Sequence, residues 1–432
     1  MKMHDMATKL FTIPRSITGE GFLKSLQFIK DEVEKDGDDF KLNITSVKSG
    51  TKCFDWTIPP EWVVRDAYII TPDGKKICEF SKNTLNLVNY SEKIHKKMHL
   101  KELLPHLYSL PHLPNAIPYV TSYYERRWGF CISKKELDTL KDGVYEVFID
   151  TDFKDDGSLY YGELFIPATT QTKDEVLFST YLCHPQMANN ELSGPVVMAK
   201  LIEFVKSLQD RRYNYRFLII PETIGSITYI SRHFNELKQN VKAAFVLSCL
   251  GDEKAYSVVL SQKENSLSDK IALHTIKHIT KNPKIYSFLH RGSDERQFNT
   301  PSLNLGAVAI CRSKFEEFKE YHNSLDDLNF VTQKGLAGGL KYAKNIVLNL
   351  ETNAKFKLNT VCEPNLGSRG LISTINKGGA YPKQMLNIRD FLAYCDGETD
   401  ALEIADILGI EVRKLKEIIG QLIKFDLIEE VK

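Results

Sequence analysis

The segment of this chain that is best suited to chemistry is FSTYLCHPQMANNELSG, residues 178–194. Its apolar, strand-like first part ends at His184, and a short polar loop with Asn189 and Asn190 follows. An imidazole at the end of a buried strand, with oxygen-bearing side chains a few residues later, is typical of metal ligands at the carboxyl edge of an α/β sheet. The alternative is a loop in which the two asparagines only cap the next helix.

Two further segments carry groups that a metal-assisted reaction needs. In RFLIIPETIGSITYI, Glu222 follows an apolar strand and precedes a helix. It is therefore expected at the same sheet edge as His184, where it could take a proton from a metal-bound water. A carboxylate that only complements the helix dipole is the alternative. In EYHNSLDDLNF, His322 precedes another helix, and together with His184 it becomes a candidate second imidazole ligand.

The loop HRGSDERQF at residues 290–298 concentrates charge in Arg291, Asp294 and Glu295. This pattern predicts either a substrate-recognition loop or a solvated turn. In a recognition loop, Asp294 and Glu295 would hold a charged amine, and Arg291 or Arg296 would hold a carboxylate through a bidentate contact. Exposed pairs among the same charges would contribute only about 0–1 kcal/mol each. The recognition hypothesis predicts that Asp294 lies in the same pocket as His184, with the insert described next at its rim.

The elements that must position these residues belong to a chain of 432 residues, a length that predicts two or three domains. From residue 143 onward, strand patterns alternate with helical patterns, which predicts an α/β fold with a mixed, mostly parallel sheet flanked by helices. Residues 45–132 contain short alternating runs, a PDG turn and many aromatic and proline residues, which indicates an inserted β-rich domain. The sheet domain is accordingly placed at residues 1–44 and 133–360.

Residues 361–432 are predicted to form a separate winged-helix domain, with Thr399 as a helix N-cap, a turn at Gly409 and a closing strand. DNA binding by such a module needs an excess of cations. Residues 389–432 instead hold six Lys or Arg and eleven Asp or Glu. The module is therefore expected to bind no nucleic acid and to serve packing or homo-oligomerisation.

The overall composition argues against several other classes of function. The net charge of +1 offers no general basis for binding nucleic acid or an anionic membrane. The N-terminus lacks the apolar core of a signal peptide, and no run approaches the roughly 18 apolar residues of a transmembrane helix. The eight cysteines are scattered without a CxxC pair, which favours reduced thiols in the cytoplasm.

Taken in order along the chain, these motifs resemble a family of aminopeptidase-like proteins of unknown function that is related to the di-zinc aminopeptidases. The resemblance spans nearly the whole chain and rests on the segments CHPQMANNELSGP (183–195), PETIGS (221–226), HRGSDERQF (290–298), YHNSLDDL (321–328), CEPNLGSRGL (362–371), RSITGEG (15–21) and FDWTIPPEW (54–62). It implies a zinc-aminopeptidase-like fold with a β-rich insert and a C-terminal winged helix. It also implies a link to polysaccharide biosynthesis, because genes of this family often lie among those for that process.

The chain departs from the di-zinc pattern at the carboxylate ligands. The resemblance aligns the metal ligands of the di-zinc enzymes with His184, Asn190, Thr223, Ser248 and His322, so both histidines are present and all three carboxylates are replaced by neutral residues. Two divalent ions about 3.5–4 Å apart need anionic ligands to offset their repulsion, which argues against a di-zinc centre. A single zinc ion on His184 and His322 is compatible with the sequence, with Asn190 or Asp294 as the third ligand and an open position for water.

Two functions therefore stand open. The first is an aminopeptidase-like, mononuclear zinc-dependent hydrolase of a peptide or amide bond, in which Glu222 carries the proton and the substrate is a small peptide or another amide-bearing molecule. The second is a catalytically degenerate peptidase fold that acts as a binding or assembly protein. Because a fold alone does not establish a function, metal content is the observation that discriminates between them.

Overall fold

The structure is a computed structural model that describes residues 1–37, 39–371 and 383–431. Its helices are α1 (Met3–Phe11), α2 (Glu20–Glu34), α3 (Leu100–Leu103), α4 (Lys134–Leu137), α5 (Ser193–Lys206), α6 (Ile224–Asn240), α7 (Leu267–Ile279), α8 (Glu295–Phe298), α9 (Gln333–Thr352), α10 (Lys383–Leu392), α11 (Ala401–Ile407) and α12 (Leu415–Lys424). None of the helices in these ranges is long and apolar enough to cross a membrane.

The strands are β1 (Asn43–Lys48), β2 (Lys52–Cys53), β3 (Trp56–Thr57), β4 (Glu61–Ile70), β5 (Lys76–Ile77), β6 (Ile94–His99), β7 (Leu107–Tyr108), β8 (Phe130–Cys131), β9 (Val144–Lys154), β10 (Ser158–Ile166), β11 (Glu175–Tyr181), β12 (Asn214–Ile220), β13 (Val241–Leu247), β14 (Ser257–Val259), β15 (Lys284–Tyr286), β16 (Val308–Cys311), β17 (Lys355–Leu358), β18 (Asp396–Asp400) and β19 (Ile428–Val431). A π-helical turn, Ala188–Leu192, directly precedes α5.

In the described part of the chain, an eight-stranded sheet with the order β1-β10-β12-β11-β13-β16-β14-β15 forms the main layer. The central strands β12, β11, β13 and β16 run parallel, whereas the pairs β1–β10, β10–β12 and β14–β16 are antiparallel. Every residue of β11 and β12 is buried, as expected for strands that are covered on both faces. Helix α5 packs on β11, β12 and β13, and α6 packs on β10 and β13. The predicted mixed, mostly parallel sheet flanked by helices is confirmed.

A four-stranded antiparallel sheet with the order β5-β4-β9-β6 lies at the centre of the inserted region. Strand β9 follows residue 132, so this sheet includes residues that the sequence assigned to the main domain. Conversely, strand β1 lies at the start of the predicted insert but belongs to the main sheet, where it pairs with β10. Burial alternates along β9, whereas β11 is buried throughout. A strand with one buried face suits the smaller sheet.

The chain divides into two compact units, residues 1–269 with 282–341 and residues 270–281 with 342–432. In the second unit, β18, β17 and β19 form a small antiparallel sheet. Helix α11 begins after Asp400 and not after Thr399 as predicted, because the Asp400 carboxylate accepts the N–H of Glu403 in a capping box. The Thr399 hydroxyl donates to Asp396 instead. Residues 372–382 of the predicted C-terminal module lie outside the described residues.

Candidate active site

His184 lies just beyond the C-terminal end of β11, at the sheet edge where the sequence predicted it. The N–H of Leu182 donates to Ile220 O beside the end of β12 at 3.0 Å, after which the chain leaves the sheet. Nδ1 of His184 lies 2.7 Å from Oε2 of Glu191, which belongs to the π-helical turn. Because Nδ1 is engaged with this carboxylate, Nε2 is the ring nitrogen that remains for a ligand.

A buried arginine supports this arrangement from the N-terminal segment. Nε of Arg15 donates to the backbone oxygen of His184 at 3.1 Å and lies 3.7 Å from Oε1 of Glu191. The side chains of Arg15 and Glu191 are both fully buried. A buried carboxylate needs a compensating cation and hydrogen bonds. Arg15 supplies the cation, and His184 supplies a hydrogen bond to Oε2.

Glu222 follows β12 and presents its carboxylate to His184. Its Oε2 atom lies 3.5 Å from Nε2 of His184, and its Oε1 atom accepts the hydroxyl hydrogen of Ser293 at 2.8 Å. The N–H of Glu222 donates to Sγ of Cys183 at 3.3 Å. The next residue, Thr223, has a φ of 64°, which is unfavourable for a β-branched residue and is the kind of strain that clusters at functional sites.

His322, the second predicted imidazole, reaches the same place from a loop that precedes α9. Its ring centroid lies 5.5 Å from that of His184, and its ring stacks on Tyr321 at 3.8 Å. Its backbone oxygen accepts the N–H of Tyr119 at 3.0 Å. Within the described residues, neither ring nitrogen of His322 has a hydrogen-bond partner, so both remain available to a ligand.

His184, Glu222 and His322 line one cavity of about 370 Å³. Aromatic side chains of the insert form much of its wall: Trp56, Tyr119, Tyr123 and Tyr124. The hydroxyls of Tyr119 and Tyr123 lie 2.5 Å apart. The insert therefore borders the cavity, as the sequence predicted.

Asp294 is buried and is not among the residues that line the cavity. Its Oδ1 atom accepts the N–H of Thr223 at 2.8 Å and the hydroxyl of Ser226 at 2.7 Å, so it supports the turn that carries Glu222. Its Oδ2 atom is buried without a partner in the described part of the chain. Burial, followed by the charge of Glu222, raises the pKa of Asp294 to about 7. The prediction that Asp294 lies in the same pocket as His184 is therefore wrong, because its carboxylate is buried behind the turn at Thr223. Its contact with substrate stays a prediction.

The other charged residues of the 290–298 loop are either buried and hydrogen-bonded to the loop backbone or exposed at the surface. Glu295 is buried, and its Oε1 atom accepts the N–H of Gly292 at 2.8 Å. Arg291 is exposed, with its guanidinium 4.9 Å from the centre of the Phe288 ring. Arg296 is the residue of this loop that lines the cavity. Substrate binding by Arg291 and Glu295 stays a prediction.

Asn190, the predicted third ligand, faces a hydroxyl network and is not among the residues that line the cavity. Its Oδ1 atom accepts the hydroxyl of Tyr181 at 3.0 Å, and the same hydroxyl lies 2.6 Å from Oγ of Ser248. Its backbone N–H donates to Asp326 at 2.8 Å. The Tyr181 hydroxyl thus contacts both Asn190 and Ser248, the residues that the family resemblance aligns with carboxylate ligands of the di-zinc enzymes. The role of Asn190 as a ligand stays a prediction.

Burial and neighbouring charges shift the two histidines in opposite directions. Burial opposes the charged form of His184, but the interactions with Cys183 and Glu191 outweigh it, so the pKa of His184 is raised well above its usual value. Burial, followed by the charge of His184, lowers the pKa of His322 to about 3. His322 is therefore neutral at physiological pH, the form of imidazole that binds metals.

One group of three potential metal ligands among the described residues has donor atoms within 4.8 Å of one another: Cys183, His184 and Glu191. These atoms form a hydrogen-bonded cluster, because Nδ1 of His184 contacts Glu191 and lies 3.6 Å from Sγ of Cys183. Burial also raises the pKa of Cys183 to about 11, so the thiol stays protonated at neutral pH. The side of the His184 ring that suits a metal is therefore the Nε2 side, toward the cavity.

Sequence reasoning missed Arg15, Glu191 and the aromatic wall. Glu191 lies inside the segment that was singled out, and an acid seven residues after a candidate ligand is a usable signal for a supporting carboxylate. Arg15 and Trp56 belong to the motifs RSITGEG and FDWTIPPEW, which carried the family resemblance without an assigned role. Tyr119 had no such signal, because its contact with His322 joins residues that are far apart in the chain.

Solved aminopeptidases share the fold of this chain. A zinc aminopeptidase from Bacillus subtilis matches with a TM-score of 0.56 and 12% identity, over 79% of this chain and 93% of that one. A peptidase M28 precursor from Shewanella amazonensis matches with a TM-score of 0.57 and 13% identity, over 80% of this chain and 92% of that one. At such identities the likeness shows the fold alone.

The chain belongs to the family described as Domain of unknown function (DUF4910), whose profile matches residues 4–353. A winged helix-turn-helix profile matches residues 355–430, which confirms the predicted C-terminal module. A relative from Clostridium acetobutylicum, named for polysaccharide biosynthesis and for an aminopeptidase-like domain, is 38% identical over 431 residues, covering 100% of this chain and 96% of the relative. A crystal structure from the same species, named as a peptidase, matches with a TM-score of 0.90 and 37% identity, over 99% of this chain and 96% of that one.

Proposed function

We propose that this protein is a zinc-dependent hydrolase of an amide bond, with one ion held by His184 and His322. The observation that carries the proposal is the setting of the His184 ring. Glu191 holds its Nδ1 atom at 2.7 Å, and the Glu222 carboxylate lies 3.5 Å from its Nε2 atom. Two donor atoms of one tetrahedral zinc site, each about 2.0–2.1 Å from the ion, lie roughly 3.3–3.5 Å apart. The spacing of these two atoms therefore fits a single ion.

The donor set supports zinc in other respects. Metal-binding histidines usually have their second ring nitrogen hydrogen-bonded to a carboxylate or carbonyl, and the Glu191 contact gives His184 this support. His322 is neutral and has both ring nitrogens available among the described residues. The third donor is Asn190 or Glu222. Asn190 would have to release the Tyr181 hydroxyl that it now accepts at 3.0 Å, whereas Glu222 already lies beside Nε2.

When bound, zinc supplies polarisation of the amide carbonyl and a lowered pKa of water. With Asn190 as the third donor, Glu222 acts as the proton carrier: it accepts a proton from the attacking water and delivers it to the nitrogen as the C–N bond breaks. The Ser293 hydroxyl holds Oε1 of Glu222 at 2.8 Å, which leaves Oε2 directed toward His184.

The substrate of this proposal is a small peptide or another amide-bearing molecule. The name of the relative from Clostridium acetobutylicum supports a link to polysaccharide biosynthesis. The eight free cysteines, seven of them buried, support a reducing compartment such as the cytoplasm.

A binding or assembly protein without metal is the second candidate, and one observation favours it. The three neutral residues at the carboxylate positions are all hydrogen-bonded within the protein. Asn190 and Ser248 share the Tyr181 hydroxyl, and Thr223 Oγ1 accepts Nη2 of Arg296 at 2.5 Å. Such contacts stabilise the edge of the sheet without any metal ion.

Metal analysis of the full chain, purified without an affinity tag, separates the two candidates. The hydrolase requires about one zinc ion per chain after dialysis against metal-free buffer. It also requires release of a free amine from acylated amines in a reaction that a chelator stops and added zinc restores. A folded protein that takes up no zinc, even from a small excess in the buffer, would establish the second candidate instead.

A further inference from the structure

The site cavity shares lining residues with two other cavities. It shares Tyr123 and Tyr124 with a cavity of about 340 Å³. It shares Tyr119 and His322 with another of about 780 Å³. Each has a volume in the range of about 300–1,000 Å³ that is usual for ligand sites. Since two different pairs of residues form these boundaries, the reacting centre lies between neighbouring cavities and not at the end of one.

This arrangement indicates a substrate longer than a single residue. A site for a chain end has to be closed beyond the bond that reacts. Here Tyr124 and Arg126 line the cavity of about 340 Å³ on one boundary. Leu113 and Tyr321 line the cavity of about 780 Å³ on the other. The site cavity thus has a neighbouring cavity on each of two boundaries, where further units of a linear molecule would lie.

The rim of the site exposes aromatic ring faces. Trp56 is 38% exposed and Tyr124 is 56% exposed, and their rings meet edge to face at 5.5 Å. Phe54, in the tight turn before Trp56, is 56% exposed and has a φ of 55°, which is unfavourable for a bulky residue. Exposed aromatic surface on a strained turn beside a cavity is typical of a binding site. Flat apolar faces of this kind suit the C–H faces of sugar rings, while the phenol hydroxyls can bond to sugar hydroxyls.

The backbone of the wall argues against a peptide as the elongated ligand. Peptides that bind in extended form pair with free N–H and C=O groups of an exposed strand edge. In this wall the N–H of Tyr119 donates to His322 O at 3.0 Å, and the N–H of Ser122 donates to Asn89 O at 2.8 Å. The oxygen of Val120 accepts the N–H of Asn89 at 2.9 Å. These groups are already paired, so recognition here falls to ring faces and hydroxyls.

We infer that the substrate is a linear glycan that carries N-acylated amino sugars, and that it extends from the reacting centre into both neighbouring cavities. This inference rests on the proposed amide hydrolase, because the amide of such a glycan is its N-acyl group. In the reaction, the oxygen of water bonds to the acyl carbon and the C–N bond breaks. The acyl group leaves as a carboxylic acid. The nitrogen keeps its own hydrogen, receives a second proton from the water through Glu222, and stays on the sugar as an amine.

Calorimetric titration of the full chain with N-acetylchito-oligosaccharides of one to six units tests the inference. The Kd is expected to fall at least about tenfold from one unit to four, as the neighbouring cavities fill. Trp56→Ala and Tyr124→Ala should each raise the Kd of the four-unit ligand about tenfold, the size of one aromatic contact. Tyr394→Ala, which removes a ring that is 39% exposed outside all three cavities, is the matched control and should bind as the parent does.

Absence of binding, a Kd that does not change with length, or unaltered binding by both aromatic variants would overturn the inference. So would chain-length-dependent binding of acetylated oligoalanines in place of the glycans. Acetate release is measured in the same samples. Length-dependent glycan binding without acetate release would keep the glycan site and refute the hydrolase. Amine release from acylated peptides without glycan binding would keep the hydrolase and refute the glycan site.

Discussion

Nδ1 of His184 lies 2.7 Å from Oε2 of Glu191, and both side chains are buried. Arg15 approaches the other carboxylate oxygen of Glu191 at 3.7 Å, so the carboxylate is held from two sides. The imidazole therefore has one fixed orientation and one nitrogen left for a ligand. Such support is what a metal-binding or proton-transferring histidine requires before its ligand arrives.

Glu191→Gln should lower zinc affinity about 10–100-fold, the usual effect of removing a carboxylate that supports a metal-binding histidine. The amide keeps the shape of the side chain but cannot stabilise the His184 ring in the same way. Competition with a zinc-chelating dye measures the effect, and Glu264→Gln, at an exposed position of the first unit, serves as the control. Unaltered affinity would show that Glu191 is structural only. Glu191→Asp, which keeps the charge, should recover part of the affinity.

His184→Ala should abolish stoichiometric zinc while the chain stays folded. The two remaining partners, Arg15 and Glu191, still compensate each other's charge, so a moderate loss of stability is expected and not unfolding. Elemental analysis gives the metal content, and circular dichroism gives the fold. His95→Ala removes an exposed histidine of the insert sheet and should leave the metal in place. Full zinc occupancy in the His184 variant would remove this residue from the metal site.

Glu222→Gln should reduce turnover by roughly 10²–10⁴-fold with zinc still bound, because the amide cannot accept the proton. Both activity and metal content have to be measured, since Glu222 Oε2 lies 3.5 Å from His184 Nε2 and is also the alternative third ligand. Loss of zinc in this variant would make Glu222 a ligand and leave the proton carrier unassigned. Unchanged turnover would exclude both roles.

Asp294→Asn should change the pH dependence of stability. Burial, followed by the charge of Glu222, raises the pKa of Asp294 to about 7, whereas an unfolded Asp titrates near pH ~3.9. The folded state thus binds this proton more tightly, and its contribution to stability is lost as the pH rises from about 4 through 7. Asparagine cannot ionise, so the variant should gain on the order of 2 kcal/mol relative to the parent between pH 5 and pH 8.

Urea denaturation of both proteins at the two pH values measures this difference. Asp31→Asn, on the exposed face of α2, is the control and should follow the parent. Parallel pH profiles for the parent and Asp294→Asn would contradict the burial of an ionising carboxyl at this position.

The sequence predicted the residues that depend on a single rule, namely that polar side chains follow the ends of buried parallel strands. His184 and Glu222 follow β11 and β12, which are neighbours in the sheet, so their meeting follows from the fold. Residues whose position depends on irregular backbone could not be predicted in this way. Glu191 reaches His184 through a π-helical turn, and Tyr119 meets His322 across a loop pairing that no periodicity encodes. The predicted limits of the insert do not coincide with the sheets for a related reason: β9 and β10 follow each other closely along the chain yet belong to different sheets.

The winged-helix module should show no affinity for duplex DNA at physiological salt. The module carries more acidic than basic residues. Its apolar residues Ile410, Leu415, Ile418 and Leu422 are buried. Fluorescence anisotropy of a labelled duplex, read at about 0.15 M and at low salt, checks the expectation. Micromolar binding that weakens steeply with salt would overturn it. Homo-oligomerisation through the module stays a proposal, which sedimentation of the parent and of Ile423→Glu can examine, since Ile423 is exposed.

The backbone pairing between the insert and the His322 loop has a consequence for the evolution of this fold. Besides the Tyr119–His322 bond, Pro118 and Asn323 form a bridge, and the N–H of Ser324 donates to Ile117 O at 2.9 Å. The backbone that fixes one candidate ligand is thus shared with a segment that lies outside the core of the fold. If the insert were lost or gained during evolution, the loop of His322 would need a different backbone partner. Wherever the insert is missing, the matching histidine must be held by a different partner, so the two are expected to be inherited as one unit.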